Sequence, residues 1–359
     1  MALEFSVQTS DTPVSPQRLQ EVHASPGFGQ IFTDHMIRAR WTPEQGWHEA
    51  GLLPYGPLSL DPATHVFHYG QAIFEGFKAY TQPDGSIATF RPHSNGERFN
   101  RSAARLALPA FPVEDFVAAA DLLIRQDAAW VPTGGETSLY VRPFMMATEV
   151  GLGVRPSRDV TFLLIASPAG SYFAKGSSQL ALWLSEDYTR AAPGGTGAAK
   201  CAGNYAASLL PQQEALDNGC EQVLFLDAVE RRWVEEIGGM NLWFVLDDGT
   251  LVTPELTGTI LEGVTRDTMK TLAADHGHRV EERRIDIDEW RKGIDGGHIT
   301  EVFACGTAAV VTSIGTLRWR GGELTMPAET PVAETLRAAL VDLQHGRAPD
   351  AHGWLHRVP

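Results

Sequence analysis

Cysteine is scarce in this chain of 359 residues, which contains three: Cys201, Cys220 and Cys305. They lie far apart and form no C-x-x-C pair, so the sequence predicts neither a disulfide framework nor a zinc site. The twelve histidines offer no ligand set with a third partner, and we expect no metal. Long apolar runs are missing too: stretches such as VTFLLIA from Val160 have strand length, far too short to cross a bilayer.

Positive charge is also in short supply. The formal net charge is −15, and the chain has no block of lysines and arginines. This argues against a nucleic-acid or anionic-membrane partner, and it requires local groups to capture any anionic substrate. The N-terminal segment lacks the basic start and the apolar run of a signal peptide. We therefore expect a soluble protein of the cytoplasm.

The composition is that of a globular protein, with 43% hydrophobic and 20% charged residues. The length allows two domains. Residues 1–20, rich in Ser, Thr, Pro and Gln, predict a flexible tail. We expect a small α/β domain over 21–170, an interdomain loop over 171–180, where small and polar residues interrupt the pattern, and a larger domain over 181–359.

Local patterns predict a mixture of hairpins and helices. Turn signals at 83–85, 247–249 and 321–322 each lie between two apolar runs, which is typical of a β-hairpin. Apolar residues recur at helical spacing in segments that begin at Ser94, Val113, Tyr205, Gly263 and Val332. The sequence thus predicts two mixed α/β domains without the strict βαβ alternation of a doubly wound sheet.

A lysine at the end of a glycine-rich loop, GGTGAAK from Gly194, is the first candidate for chemistry. A nucleotide-binding P-loop needs Gly-Lys-Ser/Thr in succession, but here Ala199 precedes Lys200 and Cys201 follows it. The simplest alternative is a solvated surface lysine. A cation just before a helix, however, is unfavourable by roughly 0.3–1 kcal/mol. A lysine whose amine acts as a nucleophile would account for this position. The residues alone leave the solvated lysine as the commoner case. No G-x-S-x-G elbow indicates a hydrolase.

Four motifs in order carry a resemblance to a known family: GGTGAAKCAGNYAASL, VEEIGGMNLW, LEGVTRDT and ACGTAAVV. Together they resemble the branched-chain amino acid aminotransferases, pyridoxal-phosphate enzymes of fold type IV, over nearly the whole chain. The resemblance implies two mixed α/β domains with the active site between them, the larger of which binds pyridoxal 5′-phosphate. It also implies a homodimer in which the stretch EVGLGVRP from Glu149 completes the partner's site.

The resemblance assigns three residues to the reactive part of the cofactor. Lys200 would be the catalytic Schiff-base lysine and would move the proton at the substrate α-carbon. Tyr205 would hydrogen-bond the phenolic oxygen, and Glu236 would pair with the pyridine nitrogen. The neighbouring Glu235 points to the opposite face if this segment is a strand, so only one of the two glutamates can reach the ring.

A second group of residues is assigned to the cofactor phosphate and the substrate carboxylate. The helix start at Gly263, Val264 and Thr265 offers backbone N–H groups to an anion. Arg98 resembles the family's phosphate arginine, with Arg101 and Arg105 on the same helix as competing choices. By the same resemblance the hydroxyl of Thr307 reaches the phosphate. The N–H groups of Thr307 and Ala308 would take the substrate carboxylate.

Substrate selection is expected from an apolar wall and one arginine. Arg142 would meet the side-chain carboxylate of glutamate and would otherwise stay tied to tyrosines; the alternative is a surface salt bridge, which contributes little. The residues that match the family's apolar pocket are Phe28, Tyr69, Phe74, Tyr140 and Tyr172.

The chain departs from the family pattern in two places. Ala309 and Thr312 occupy the positions where some members carry a redox C-x-x-C pair, so regulation by peroxide is not expected. Gly239 replaces a threonine of other members, which removes a hydroxyl near the substrate. We expect a reversible branched-chain amino acid aminotransferase that uses 2-oxoglutarate in ping-pong half-reactions. The alternatives are a D-amino acid aminotransferase or pterin-pathway lyase of the same fold, and a silent phosphate-binding module.

Overall fold

The computed structural model describes residues 3–170 and 179–359. The chain divides into two units that each have their own internal contacts. Unit 1 comprises Met1–Tyr172, Ala199–Ala202 and Asp342–Pro359, and unit 2 comprises Phe173–Ala198 and Gly203–Val341. Most of the interdomain loop expected at 171–180 lies outside the described residues. Among the helices of the described residues, none combines the length and the apolar character that spanning a membrane would need.

Unit 1 is built on a nine-stranded sheet in the order β1-β3-β2-β8-β7-β5-β6-β18, with β4 paired to β7. Apart from the parallel β1–β3 pair, its strands pair antiparallel. The strands are β1 (Ser6–Val7), β2 (His35–Thr42), β3 (Gly46–Pro54), β4 (Ala72–Phe74), β5 (Phe77–Thr81), β6 (Ile87–Phe90), β7 (Ser138–Ala147), β8 (Val160–Ala169) and β18 (Leu355–Arg357).

Helices lie on both faces of this sheet. The helices α1 (Pro16–Ala24), α3 (Pro92–Arg105) and α4 (Val113–Gln126) contribute to the larger apolar core, whereas α2 (His65–Tyr69) contributes Val66 to a smaller cluster on the opposite face. The core holds Phe99 from α3, Phe116 from α4 and Phe162 from β8, all fully buried. The hairpin predicted at 83–85 connects β5 to β6, and the helices predicted from Ser94 and Val113 are α3 and α4.

The N-terminal residues differ from the flexible tail that the sequence predicted over 1–20. Strand β1 pairs with β3 at Gly51, where any side chain would clash with Ser6. The backbone N–H of Leu3 donates to Asp115 at 3.0 Å, and that of Ser10 donates to His35 Nε2 at 2.9 Å. Side chains that are distant in sequence accept hydrogen bonds from this segment. The composition of the segment alone therefore did not indicate that it is ordered.

Unit 2 also contains a nine-stranded sheet, in the order β11-β10-β9-β16-β15-β12-β13-β14, with β17 beside β16. An additional β11–β12 pairing closes the strands from β11 to β12 into a ring. The strands are β9 (Gln179–Leu184), β10 (Gln222–Leu226), β11 (Val234–Ile237), β12 (Met240–Leu246), β13 (Leu251–Thr253), β14 (Val280–Glu282), β15 (Ile299–Gly306), β16 (Val310–Trp319) and β17 (Gly322–Thr325).

Further helices follow the glycine-rich loop along the chain: α5 (Ala202–Ala207), α6 (Leu209–Asp217), α7 (Val264–Asp275), α8 (Ile287–Asp295) and α9 (Pro331–Gln344). The helical segment predicted from Tyr205 is two helices, α5 and α6, which meet at Ser208. The hairpins predicted at 247–249 and 321–322 connect β12 to β13 and β16 to β17. Helix α7 ends two residues before Gly277, which lies in the left-handed region at φ +82°.

The start of α9 depends on a buried carboxylate from strand β15. Glu301 is 3% exposed, and its two oxygens accept the backbone N–H groups of Val332 and Ala333 at 2.9 Å each. Because the first N–H groups of a helix have no partner within the helix, this side chain serves as the cap.

We predict that Glu301→Ala lowers the free energy of unfolding by about 2–4 kcal/mol, because two charge-assisted hydrogen bonds are lost in a buried position. Glu301→Gln, which keeps one acceptor oxygen, should show a smaller loss. Chemical denaturation measures both. The control is Glu334→Gln, an exposed acid in the same helix; an equal loss in this control would contradict the capping role.

Candidate functional site

The backbone around Lys200 is held tightly in unit 1. Its N–H donates to Ser102 Oγ at 2.9 Å, and its carbonyl accepts the N–H of Phe74 at 3.0 Å. The next residue, Cys201, forms an isolated β-bridge with Ile73. The Lys200 Nζ atom lies 4.9 Å from the centre of the Phe74 ring. The amine is thus presented from a fixed backbone beside an aromatic face.

Steric constraints explain why glycine occupies two positions before Lys200. Gly194 has φ +76°, in the left-handed region that glycine tolerates. At Gly197 a side chain would clash with the backbone of Thr259, which belongs to the same unit 2. These glycines therefore allow a tight turn and a close backbone approach.

Four of the predicted substrate residues form one cluster in unit 1. Tyr140 and Arg142 are two residues apart on β7 and so share a face of the sheet. The Arg142 Nη2 donates to the Tyr140 hydroxyl at 3.1 Å, and its guanidinium carbon lies 4.9 Å from the Phe74 ring centre. Phe28 meets Tyr140 edge to face at 5.0 Å. The Arg142 Nε is buried and has no hydrogen-bond partner among the described residues.

The other two predicted substrate residues lie elsewhere. Tyr69 is 39% exposed at the end of α2, and its hydroxyl donates to the carbonyl of Leu152. Its ring packs against His65 at 5.6 Å rather than in the cluster around Arg142. Tyr172 lies outside the described residues.

Arg98 forms a buried ion pair that the sequence did not reveal. Its Nε and Nη2 donate to the two oxygens of Glu75 at 2.6 and 2.8 Å, and the two residues are 4% and 0% exposed. Glu75 also accepts the N–H of Gly76 at 3.0 Å. A two-point contact of this kind fixes the plane of the guanidinium. The competing Arg101 and Arg105 are exposed on α3.

Glu236 is a predicted site residue of unit 2 that is buried and paired with an arginine. It lies on β11 and is 1% exposed, with its Oε1 2.7 Å from Arg190 Nε and 3.2 Å from the N–H of Leu261. Arg190 also donates to the carbonyls of Gly197 and Thr259. Arg190 was missed because its partners are distant in sequence; the only available signal was that a buried carboxylate needs a cation.

Tyr205 lies on α5 close to Gly239. A side-chain Cβ built at Gly239 would meet the Tyr205 ring at 3.6 Å, which is an ordinary contact distance. The threonine that the family resemblance implies for other members would therefore have room for its first carbon at this position.

The start of α7 has the features of an anion site. The helix has 12 residues and begins after Gly263, which has no side chain with which to cap it. A Cβ atom at Gly263 would lie too close to Asn241 Oδ1, so a larger residue here would require the Asn241 side chain to move. Val264 and Thr265 form the first turn, whose N–H groups and positive dipole end attract anions.

Thr307 and Ala308 lie in the connection between β15 and β16, in which Gly306 pairs with Val310. Val310 has φ +62°, a conformation that β-branched residues rarely adopt. Such strain of about 1–3 kcal/mol is typical of functional turns.

Comparison with known proteins gives the family. Residues 72–317 match the model of the amino-transferase class IV family. The chain therefore belongs to the class IV aminotransferases, whose cofactor is pyridoxal 5′-phosphate.

Individual relatives identify a narrower group within this class. The chain is 55% identical over 357 residues to a probable branched-chain-amino-acid aminotransferase of Streptomyces coelicolor, covering 99% of this chain and 98% of the relative. It is 53% identical over 362 residues to the branched-chain-amino-acid aminotransferase of Mycolicibacterium smegmatis, with 99% and 98% covered. Within its class the chain thus belongs to the branched-chain-amino-acid aminotransferases, and the predicted membership is confirmed.

Solved structures confirm the fold type. The T.th. branched-chain amino acid aminotransferase with pyridoxamine 5′-phosphate superposes with a TM-score of 0.75 at 29% identity, covering 89% of this chain and 98% of that one. The same enzyme complexed with N-(5′-phosphopyridoxyl)-L-glutamate, and with 4-methylvaleric acid, gives a TM-score of 0.73 in each case at the same identity and coverage.

The residues present fit this cofactor. A phosphate needs N–H donors and a close backbone approach, which the start of α7 and Gly263 offer. A protonated pyridine nitrogen needs a buried carboxylate, which Glu236 offers. The donor set therefore has the chemistry of the group that the family uses.

We predict that Glu75→Ala lowers the free energy of unfolding by about 3–5 kcal/mol, because it leaves the Arg98 charge buried without its carboxylate. The double variant Glu75→Ala/Arg98→Met should lose less than Glu75→Ala alone. Denaturant titration of each variant checks this, with the exposed Glu97→Ala on α3 as the control. A double variant less stable than Glu75→Ala would contradict this account of the pair.

Proposed function

We propose that this aminotransferase moves the amino group reversibly between leucine, isoleucine or valine and 2-oxoglutarate, in two half-reactions that share one pocket. The observation that carries the proposal is the position of Arg142 inside an aromatic cluster that also contacts Lys200. One pocket can then accept either an apolar side chain or a carboxylate.

Lys200 is the catalytic residue in this proposal. Bound pyridoxal phosphate supplies an electron sink for the substrate α-carbon. Lys200 would hold the cofactor through its amine until the amino group of the substrate takes its place. The Nζ released in that exchange would then accept the proton from the α-carbon as a general base. The fixed backbone between Ser102 and Phe74 supports this role, because proton transfer needs an amine at a defined position.

Two further side chains orient the cofactor ring. Glu236 meets the pyridine nitrogen, and the carboxylate is held for this purpose by Arg190 at 2.7 Å. Tyr205 donates a hydrogen bond to the phenolic oxygen.

The phosphate is bound by residues on several elements. Arg98, with its plane fixed by Glu75, contributes a charged donor. The helix start at Gly263, Val264 and Thr265 contributes backbone N–H groups. Thr307 adds a hydroxyl, and the N–H groups of Thr307 and Ala308 take the substrate carboxylate.

Substrate choice depends on whether the guanidinium of Arg142 has a carboxylate to meet. With an aliphatic substrate, Phe28, Phe74 and Tyr140 form the apolar wall, and Arg142 stays on the Tyr140 hydroxyl. With glutamate, the buried Nε of Arg142 provides a donor that lacks a partner among the described residues. The complex of the T.th. relative with a phosphopyridoxyl-glutamate supports glutamate as the second substrate. Tyr69 and Tyr172 remain proposed pocket residues on the family resemblance alone.

We further propose a cytoplasmic homodimer. The segment after Glu149 exposes apolar side chains to an unusual degree: Val150 is 58%, Leu152 66% and Val154 84% exposed. Three exposed aliphatic residues within five positions are typical of a protein interface. This segment is the one that the family resemblance assigns to the partner's site.

The first test is the visible absorption spectrum of the purified protein before and after L-leucine is added. We expect a cofactor band that L-leucine converts to the amine form, whereas Lys200→Ala should show neither the original band nor the conversion. D-leucine is the control. A band that only D-leucine changes, or that neither isomer changes, would favour the D-amino acid or lyase alternatives. Protein that stays colourless with added pyridoxal phosphate would leave only a phosphate-binding module.

A second prediction concerns Arg142. Arg142→Leu should lower kcat/KM for 2-oxoglutarate at least ~100-fold, because a carboxylate loses its charge-assisted partner. The half-reaction with L-leucine should change less than about tenfold. Single-turnover kinetics of each half-reaction separate the two effects, and Arg158→Leu on the surface serves as the control. Equal losses in both half-reactions would contradict the switch.

A further inference from the structure

Two elements of unit 1, α3 and the end of β4, hold both backbone polar groups of Lys200. The N–H of Lys200 donates to Ser102 Oγ on α3, and its carbonyl accepts the N–H of Phe74 on β4. The loop that precedes Lys200 is rich in glycine, the residue that restricts the backbone least. These tertiary contacts, rather than the neighbours of Lys200 in the chain, therefore set its position.

The same two elements hold Arg98. Ser102 follows Arg98 by four positions on α3, so their side chains share one face of the helix with Cβ atoms about 5–6 Å apart. Glu75, which directly follows Phe74, accepts hydrogen bonds from Arg98 at 2.6 and 2.8 Å. The contacts form a closed circuit, which runs from Lys200 through Ser102, Arg98, Glu75 and Phe74 back to Lys200.

Ser102 is fully buried within α3. In the interior of a helix a serine is less favourable than an alanine, and its hydroxyl usually bonds to a carbonyl of the preceding turn. Here the oxygen of Ser102 accepts an N–H from a residue 98 positions away in the chain. The contact with Lys200 thus accounts for a buried hydroxyl at this position.

We propose that Ser102 is a positioning residue that sets the distance between Lys200 and Arg98, so that one cofactor is held at its reactive carbon and at its phosphate together. The inference rests on the proposed function, in which Lys200 bonds the cofactor and Arg98 meets its phosphate. Two contacts at the correct separation strengthen each other, because the second forms at a high effective concentration. A displaced Lys200 loses that gain even though each contact can still form by itself.

The two forms of the cofactor separate these contacts. Pyridoxal phosphate carries an aldehyde, with which a lysine amine condenses with the loss of one water. Pyridoxamine phosphate carries an amine at the same carbon and cannot form this bond. The contact from Ser102 to Lys200 should therefore strengthen the binding of pyridoxal phosphate alone. Arg98 should strengthen the binding of both forms, because both carry the phosphate.

The test compares the release of the two forms from the full-length protein. Each variant is loaded with one form and diluted, and the cofactor that stays bound is measured by its absorbance. We expect Ser102→Ala to speed the release of pyridoxal phosphate at least about tenfold and that of pyridoxamine phosphate less than about threefold. Ser102→Cys should do the same, because a thiol is a weak acceptor. Arg98→Lys should speed both releases by similar factors.

Ser94→Ala on the same helix is the control, because its hydroxyl accepts from Arg91 at 3.3 Å and lies outside the circuit. Chemical denaturation checks that each variant is folded, and Ser102→Cys carries the test if Ser102→Ala is not. A loss variant that releases both forms faster by the same factor, or neither form faster, would overturn the inference. Wild-type protein that retains neither form would contradict the proposed function itself, and the inference would fall with it.

Discussion

The contact between Glu236 and Arg190 organises much of unit 2. Both side chains are almost fully buried, and a buried charge is tolerated only when it is paired and hydrogen-bonded. Arg190 meets this requirement and also binds the carbonyls of Gly197 and Thr259. One guanidinium thus ties together strand β11, the glycine-rich loop before Lys200 and the segment that carries Leu261. The position of Glu236, for which we propose a role toward the cofactor ring, therefore depends on Arg190, which does not need to touch the cofactor.

Unit 1 also contains a buried ion pair between an arginine and a glutamate, but the two residue types have exchanged roles. There the arginine is the proposed ligand residue, and Glu75 is the group that holds it. In each unit a residue with a proposed role toward the cofactor is fixed by a buried partner of opposite charge. The two-point contact between Arg98 and Glu75 leaves the guanidinium little rotational freedom, which is what a preorganised site requires.

The sequence predicted those features that depend on neighbouring residues. Turn chemistry located the three hairpins, and apolar spacing located α3, α4 and α7, because these signals act over a few positions. The four motifs that begin with the one around Lys200 indicated the family, and the family in turn implied the fold type and the cofactor. Arg190 and Glu75 could not be predicted, since each partner is far away in sequence. The order of the N-terminal residues was missed for the same reason: it depends on distant acceptors such as Asp115 and His35.

The three cysteines have a consequence for work with this enzyme. All are free and buried, and burial raises the pKa of the Cys305 thiol to about 12. Since the thiolate is the reactive form, maleimide dyes at neutral pH would leave the native thiols untouched while the protein stays folded. A single cysteine introduced on the surface could then be labelled without first removing any natural one. Fluorescence studies of conformational change in this protein could therefore start from the natural sequence.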